Sequence, residues 1–227
     1  ADYSQIELRI IAALSKDHEM MKIFEAGADI HRSTAAKIND VAESGVTFEM
    51  RSAAKAINFG ILYGLGAHGL AQGAHISFSE ARGFIDRYFE VFKGVKLYLE
   101  ETKLLAHKQG FVETYFGRRR YFPEINSTIA QVRASAERMA TNAPMQGTAA
   151  DIIKLAMIKI HAFLNASFTS DEVVMVLQVH DELVFEAKDH LVADLLAPIV
   201  KIMETVVDFG VPIVADVKTG INWGEME

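Results

Sequence analysis

The 227-residue sequence contains no cysteine. That excludes a disulfide framework and any thiolate metal site, and it suits a reducing cytoplasm. No apolar run reaches the roughly 18–20 residues that a membrane-spanning helix needs, so no membrane partner is expected. No signal peptide is expected either, because Ala1 leads directly into a charged, patterned segment. Basic charge is scarce: 23 Lys and Arg stand against 30 Asp and Glu, a formal net charge of −7. A uniformly basic nucleic-acid binder is therefore disfavoured, and any such contact has to use local clusters. The best cluster is Arg118-Arg119-Arg120, with Arg133 and Arg138 further on. A metal site rich in carboxylates would also make the net charge a poor guide.

What the sequence does have is apolar content. Half the residues are hydrophobic, enough for a sizeable core in one large domain or two. The stretch from Arg51 to Gly64 reads as a helix, with Ala53, Ala54 and Ala56 favouring it and Gly64 and Gly66 as a stop. Arg51, Lys55, Phe59 and Tyr63 recur every four residues, so two cations and two aromatic rings share one slowly drifting stripe. Cations suit a polyphosphate and a flat ring suits a base, so the stripe has the chemistry to hold a nucleoside triphosphate. By spacing alone it equally describes a half-exposed helix with a buried aromatic end.

The remaining elements follow from pattern. Ser4-x-x-Glu7 predicts a capping box opening a helix, which is a structural role for Glu7. Glu19 to Ala42 reads as one helical stretch that contains His31, and Gly64, Gly66, Gly69 and Gly73 read as a loop. Ser77-x-x-Glu80 caps the next helix, with Phe84, Ile85, Tyr88, Phe89 and Phe92 as core and Gly94 as its end. Another helix closes at Gly110, and Phe111–Phe116 is a short strand or extended loop before the arginines. A helix from Ile125 is expected to break at Asn142-Ala143-Pro144 and to resume at Gly147. Val173–Val179 reads as a buried strand and Leu183–Phe185 as its return, which places His180-Asp181 at a hairpin tip. That tip is either an ordinary polar turn or a strained functional one. Asp189–Phe209 reads as a helix kinked near Pro198, and Val211–Val217 as a last strand.

Three strings in this order resemble motifs of the family A DNA polymerases, the bacterial DNA polymerase I type. They are Asp2-Tyr-Ser-Gln-Ile-Glu7-Leu-Arg9, the Arg51–Gly64 helix, and Gln178-Val-His180-Asp181-Glu182. The resemblance runs from Ala1 to Asn222-Trp223-Gly224. It implies an α+β fold in which an antiparallel palm sheet carries the carboxylates and a mostly helical fingers subdomain is inserted. The palm would be residues 1–17 and 125–227, and the fingers 18–124. The thumb and early palm strands precede the first Asp in the family and are absent here, so a C-terminal fragment with its own C-terminus is expected.

The implied activity is template-directed addition of deoxynucleotides to a primer 3′-hydroxyl with release of pyrophosphate. Two Mg²⁺ ions held by Asp2 and Asp181 would assist, with Glu182 beside them as a further catalytic candidate. By resemblance, His31, Arg51 and Lys55 would bind the triphosphate, Phe59 the incoming sugar and base, and Tyr63 the templating position. Glu7, with Tyr63, would crowd a 2′-hydroxyl, and Gln5 would be a further contact to the nucleotide. Arg118, Arg119, Arg138, Asn142, Gln146 and His180 would contact primer–template DNA. The partners would be that DNA and deoxynucleoside triphosphates, and the protein would act as a monomer. A second reading is a DNA-binding or scaffold fragment that keeps the motifs without a working site. A two-metal nuclease is a third, but a nuclease needs no triphosphate stripe.

Overall fold

The computed structural model describes every residue except His75 and Glu227. It is a mostly helical α+β structure with two small antiparallel sheets. Strand β1 (Asp2–Tyr3) leads into helix α1 (Ile6–Ser15). Gln5 has φ 56°, which no residue inside a right-handed helix adopts, so α1 opens at Ile6 with Glu7 in its first turn. The stretch read as one helix is two, α2 (His18–Glu25) and α3 (Ile30–Asn39). Gly27, at φ 64°, follows the first, and the Asp29 carboxylate caps the second.

Helix α4 (Phe48–Leu62) is the central helix expected from the sequence, with Thr47 as N-cap and Tyr63 as C-cap. The glycine-marked loop beyond it contains a helix after all, α5 (Ala67–Ala74). Gly69 belongs in it because Leu65 folds back: a Cβ at Gly69 would lie 2.7 Å from Leu65 Cδ1. Helix α6 (Phe78–Val91) begins at the full Ser77–Glu80 capping box. Helix α7 (Lys93–Gln109) holds Gly94 in its first turn, so Gly94 starts this helix rather than ending α6. The Gly94 N–H donates to the Asp17 carboxylate at 2.8 Å, in a contact too close for a side chain at residue 94. Strands β2 (Phe111–Glu113) and β3 (Arg119–Tyr121) make a two-stranded ribbon.

Helix α8 (Ala130–Ser167) runs unbroken through Pro144, against expectation. An interior proline costs about 3 kcal/mol. Val112, Phe122 and Ile125 are buried in one cluster with Ala136, Ala140 and Ala143 of α8. Each such large side chain contributes about 1.5–3 kcal/mol on burial, so packing outweighs the proline. Strands β4 (Val173–Val179) and β5 (Glu182–Ala187) form the expected hairpin. Helix α9 (Val192–Glu204) is shorter than the sequence suggests, and the last strand pairs only as β6 (Ala215–Asp216).

The chain folds as two compact units. One comprises Ala1–Glu7 and Thr148–Glu227. Its sheet has the order β4-β5-β1-β6, so the two-residue strand β1 lies inside, between β5 and β6. Tyr3, Leu183, Leu195, Ile199 and Met203 form buried core, and the Tyr3 hydroxyl donates to the Met203 carbonyl at 2.9 Å. Strand β4 is apolar yet mostly exposed, contrary to its reading as a buried strand, and it lies at the edge of the sheet beside β5.

The other unit, Leu8–Gly147, is helical apart from the β2–β3 ribbon. Tyr88 of α6 is fully buried there against Phe89 and Phe92. Its hydroxyl has no hydrogen-bond partner among the described residues. Tyr88→Phe should therefore be neutral or stabilising by up to about 2 kcal/mol in urea unfolding, since an unpaired buried hydroxyl costs that much. A loss of stability would show that the hydroxyl is engaged.

Candidate functional site

In the sheet-bearing unit, Val179 pairs with Glu182, so His180-Asp181 is a two-residue hairpin loop. His180 takes φ 52°, a conformation that costs a side-chain-bearing residue about 1 kcal/mol or more. The register sets Asp2 opposite Glu182 on β5 and opposite Asp216 on β6. Directly opposed residues project to one face, so three carboxylates form a row across three strands. Asp181 precedes Glu182 in the hairpin loop, and its carbonyl accepts the Tyr3 N–H at 3.3 Å. Ala1 and Leu183 exchange hydrogen bonds in both directions at 2.8 Å, which pins β1 in register.

Burial pushes the Asp2 carboxyl above its usual range, and Asp181, Glu182 and Asp216 push the same way against the Ala1 amine. Like charges opposed across strands are destabilising, and a cation among them removes the penalty. Among the described residues no three metal-ligating side chains converge on one point. Carboxylate oxygens are the donors that suit a hard divalent cation, which can take one or two of them and fill its shell with water or phosphate oxygens. Sequence reasoning missed Asp216. Its only signal was an acid in the last strand, and its relevance comes from pairing.

In the helical unit, Arg51, Lys55 and Phe59 lie along α4, with Tyr63 just past its end. The Arg51 Nε donates to Asp29 Oδ2 at 2.7 Å. Burial pushes the Asp29 carboxyl up, but Arg51 and the N–H groups of Arg32 and His31 outweigh it and hold it below the usual range. Asp29 therefore ties the start of α3 to the start of α4. His31 is 3% exposed, and its ring lies 5.6 Å from that of Phe59. The Asn58 amide donates to His31 Nδ1 at 3.0 Å, which leaves the ring proton on Nε2. Lys55 is exposed and makes no ion pair among the described residues. Asp29 and Asn58 were not singled out from the sequence. An Asn inside an apolar helical face, between Ile57 and Phe59, was the available sign.

Burial lowers the His31 pKa to about 4, with Arg51 and Lys55 adding and Asp29 opposing. His31 is thus a neutral N–H donor at physiological pH. The unfolded chain takes up this proton near pH 6.5 and the folded chain only near 4, so stability falls as pH drops through that window. The full loss is about 3 kcal/mol, reached below pH 4. An NMR titration of the His31 ring should give a midpoint near the lowered value, and a midpoint above 6 would remove the neutral-donor role.

Tyr63 and Gly64 line a cavity of about 540 Å³ with Lys103, Glu137 and Arg138. Gly64 has φ 66°, and a Cβ there would lie 3.0 Å from Arg138 Cγ, so glycine lets Arg138 pack on the end of α4. Because α8 is continuous, Arg138, Asn142 and Gln146 lie on one side of it. Asn142 Oδ1 is buried without a hydrogen-bond partner among the described residues. Gln146, Arg118 and Arg120 border a small cavity of about 70 Å³. Arg118 donates to the Gly147 carbonyl at 2.9 Å, and Arg119 Nε donates to Glu113 at 2.7 Å. Gln5 and Glu7 are half-buried on either side of the start of α1.

Residues 1–225 match the sequence profile of DNA polymerase family A. The chain belongs to that family. It is 48% identical over 225 residues to DNA polymerase I of Pseudomonas aeruginosa, covering 99% of this chain and 24% of that protein. With the thermostable DNA polymerase I of Thermus aquaticus it shares 46% identity over 223 residues, covering 98% of this chain and 26% of that one. Among solved structures it resembles the POL domain of Pol1 from M. smegmatis in complex with DNA primer-template and dNTP. The TM-score is 0.87 and the identity 43%, over 93% of this chain and 37% of that one. This family A chain thus spans about a quarter of the length of these curated relatives. Among the described residues no helix is long and apolar enough to cross a membrane.

Proposed function

We propose that this family A chain carries nucleotidyl-transfer machinery of a template-directed DNA polymerase, acting as a monomer in the cytoplasm. The observation that carries this reading is α4, which carries Arg51 and Lys55 at four-residue steps before Phe59, with the neutral His31 donor of α3 against the Phe59 ring. A triphosphate supplies the anion and a nucleoside the flat ring for such a face. The complex of the M. smegmatis relative with primer-template and dNTP supports the same partners. In this reading residues 1–17 and 125–227 serve as palm and 18–124 as fingers.

Asp2 and Asp181, with Glu182 next to them, would hold Mg²⁺. A pair of such ions, when bound, supplies charge stabilisation at the attacking and leaving oxygens. Arg51, Lys55 and His31 Nε2 would hold the triphosphate, and Lys55 would give a proton to the departing pyrophosphate. Phe59 would pack on the incoming sugar and base, and Tyr63 beside the templating base. Arg138, Asn142, Gln146 and His180 would contact the primer–template. Acceptors at purine N3 and pyrimidine O2 lie in similar places in the minor groove, so donors there check pair geometry without reading sequence. Arg118 and Arg119 would contact phosphates.

Glu7 would crowd a 2′-hydroxyl, with Gln5 as a further contact to the nucleotide. Glu7→Ala should then incorporate ribonucleotides about ten-fold or more better relative to deoxynucleotides, the worth of about 1.4 kcal/mol. Equal discrimination in paired single-nucleotide assays would count against the role. The broader test is primer extension in Mg²⁺ by this chain and by the chain joined to the upstream region of a family A relative. Extension that Asp181→Asn abolishes is expected. DNA binding without extension by either form would favour the scaffold reading.

A further inference from the structure

The β2–β3 ribbon carries two aromatic rings that the proposed chemistry does not use. Its turn is Thr114-Tyr115-Phe116-Gly117. The Gly117 N–H donates to the Thr114 carbonyl at 2.9 Å, and the Thr114 N–H donates to the Arg118 carbonyl at 2.9 Å. The Arg118 N–H also reaches the Thr114 hydroxyl at 3.2 Å, and Gly117 has φ 80°. These bonds describe a tight turn closed by a left-handed glycine, so the tip is a rigid mount. Its two central positions usually hold small polar residues. Here they hold Tyr115 and Phe116, 52% and 43% exposed, packed edge to face at 5.3 Å between centroids.

The rings sit beside Arg118, Arg119 and Arg120 in a chain whose net charge is −7. Two neighbouring rings are already covered by this cluster: Arg119 lies over Phe111 at 4.6 Å and Arg120 over Phe122 at 5.2 Å. The tip therefore sets aromatic surface next to fixed cations. Cations that follow a backbone, combined with rings on which bases stack, are the chemistry of single-strand binding. Duplex DNA keeps its base faces stacked inside, so exposed rings have nothing to stack on there.

We propose that the Tyr115–Phe116 tip is a stacking platform for unpaired bases of a single-stranded nucleic acid, with the arginines on its phosphates. This rests on the reading of the chain as a DNA-handling protein and adds the strand state that this surface selects. The test uses the full chain and fluorescence anisotropy with three labelled probes: a short single-stranded DNA, an abasic oligonucleotide of equal length, and a blunt duplex. Tyr115→Ala/Phe116→Ala should weaken binding of the normal single strand about ten-fold or more, given the worth of one or two stacked bases. Binding of the abasic strand and the duplex should change less than two-fold. Tyr115→Phe should behave as the parent, because the ring rather than the hydroxyl does the stacking.

Arg118→Ala/Arg120→Ala should weaken all three probes, and far less at high salt. Equal affinity of parent and double-alanine protein for the normal strand would overturn the platform. So would an equal loss on the abasic probe. If primer extension survives while either of these is seen, the platform fails and the polymerase reading stands. If the parent binds none of the probes, both fail.

Discussion

Asp181→Asn is expected to lower primer extension by about three orders of magnitude or more, since a missing cation ligand removes several kcal/mol of charge stabilisation. Asp2→Asn should do the same. The two variants should also remain folded, and this separates a lost function from a lost fold. Asp2 is flanked across the sheet by Glu182 and Asp216, and burial and these acids push its carboxyl up. Removing its charge relieves cross-strand repulsion worth about 0.2–1 kcal/mol per opposed pair. Asp2→Asn should thus be at least as stable as the parent in urea unfolding without divalent cations, while rapid-quench extension falls to near background. Retained extension would end the assignment, and a destabilised Asp2→Asn would show that the row is not repulsive.

Lys55→Ala is the second large effect expected, a loss of about 10²–10³ in the rate of nucleotide addition, the cost of removing one preorganised donor from developing charge. Lys55 is exposed and unpaired by any described acid, so the substitution should leave stability within about 0.5 kcal/mol. Arg51 makes a useful contrast. Its Nε donates to the Asp29 carboxylate that caps α3, so Arg51→Ala should cost both nucleotide addition and stability. Pre-steady-state rates beside unfolding curves distinguish the two. A Lys55→Ala protein within a few-fold of the parent would remove Lys55 from the chemistry.

Much of this was legible along the chain. The α4 stripe, the Ser77–Glu80 cap, the Gly110 helix end and the hairpin at His180-Asp181 all depend on neighbours within a few residues. The errors came where distant packing overrode local preference. Pro144 looked like a helix break and is not, because Phe122, Ile125 and Val112 pack beside that part of α8. Gly69 and Gly73 looked like loop residues and lie in α5. Strand β4 looked buried and is mostly exposed, since apolar composition does not say what covers the faces of a strand.

The candidate site divides in the same way. By itself the sequence determined which side chains share the α4 face, because a helix repeats every 3.6 residues whatever surrounds it. It could not determine that Asp2 faces Glu182 and Asp216, residues from the far end of the chain, because strand register is set only when strands meet. Nor could it determine that His31 is neutral. That follows from its burial and from the Asn58 amide on its Nδ1, both of which exist only once α3 and α4 have packed together.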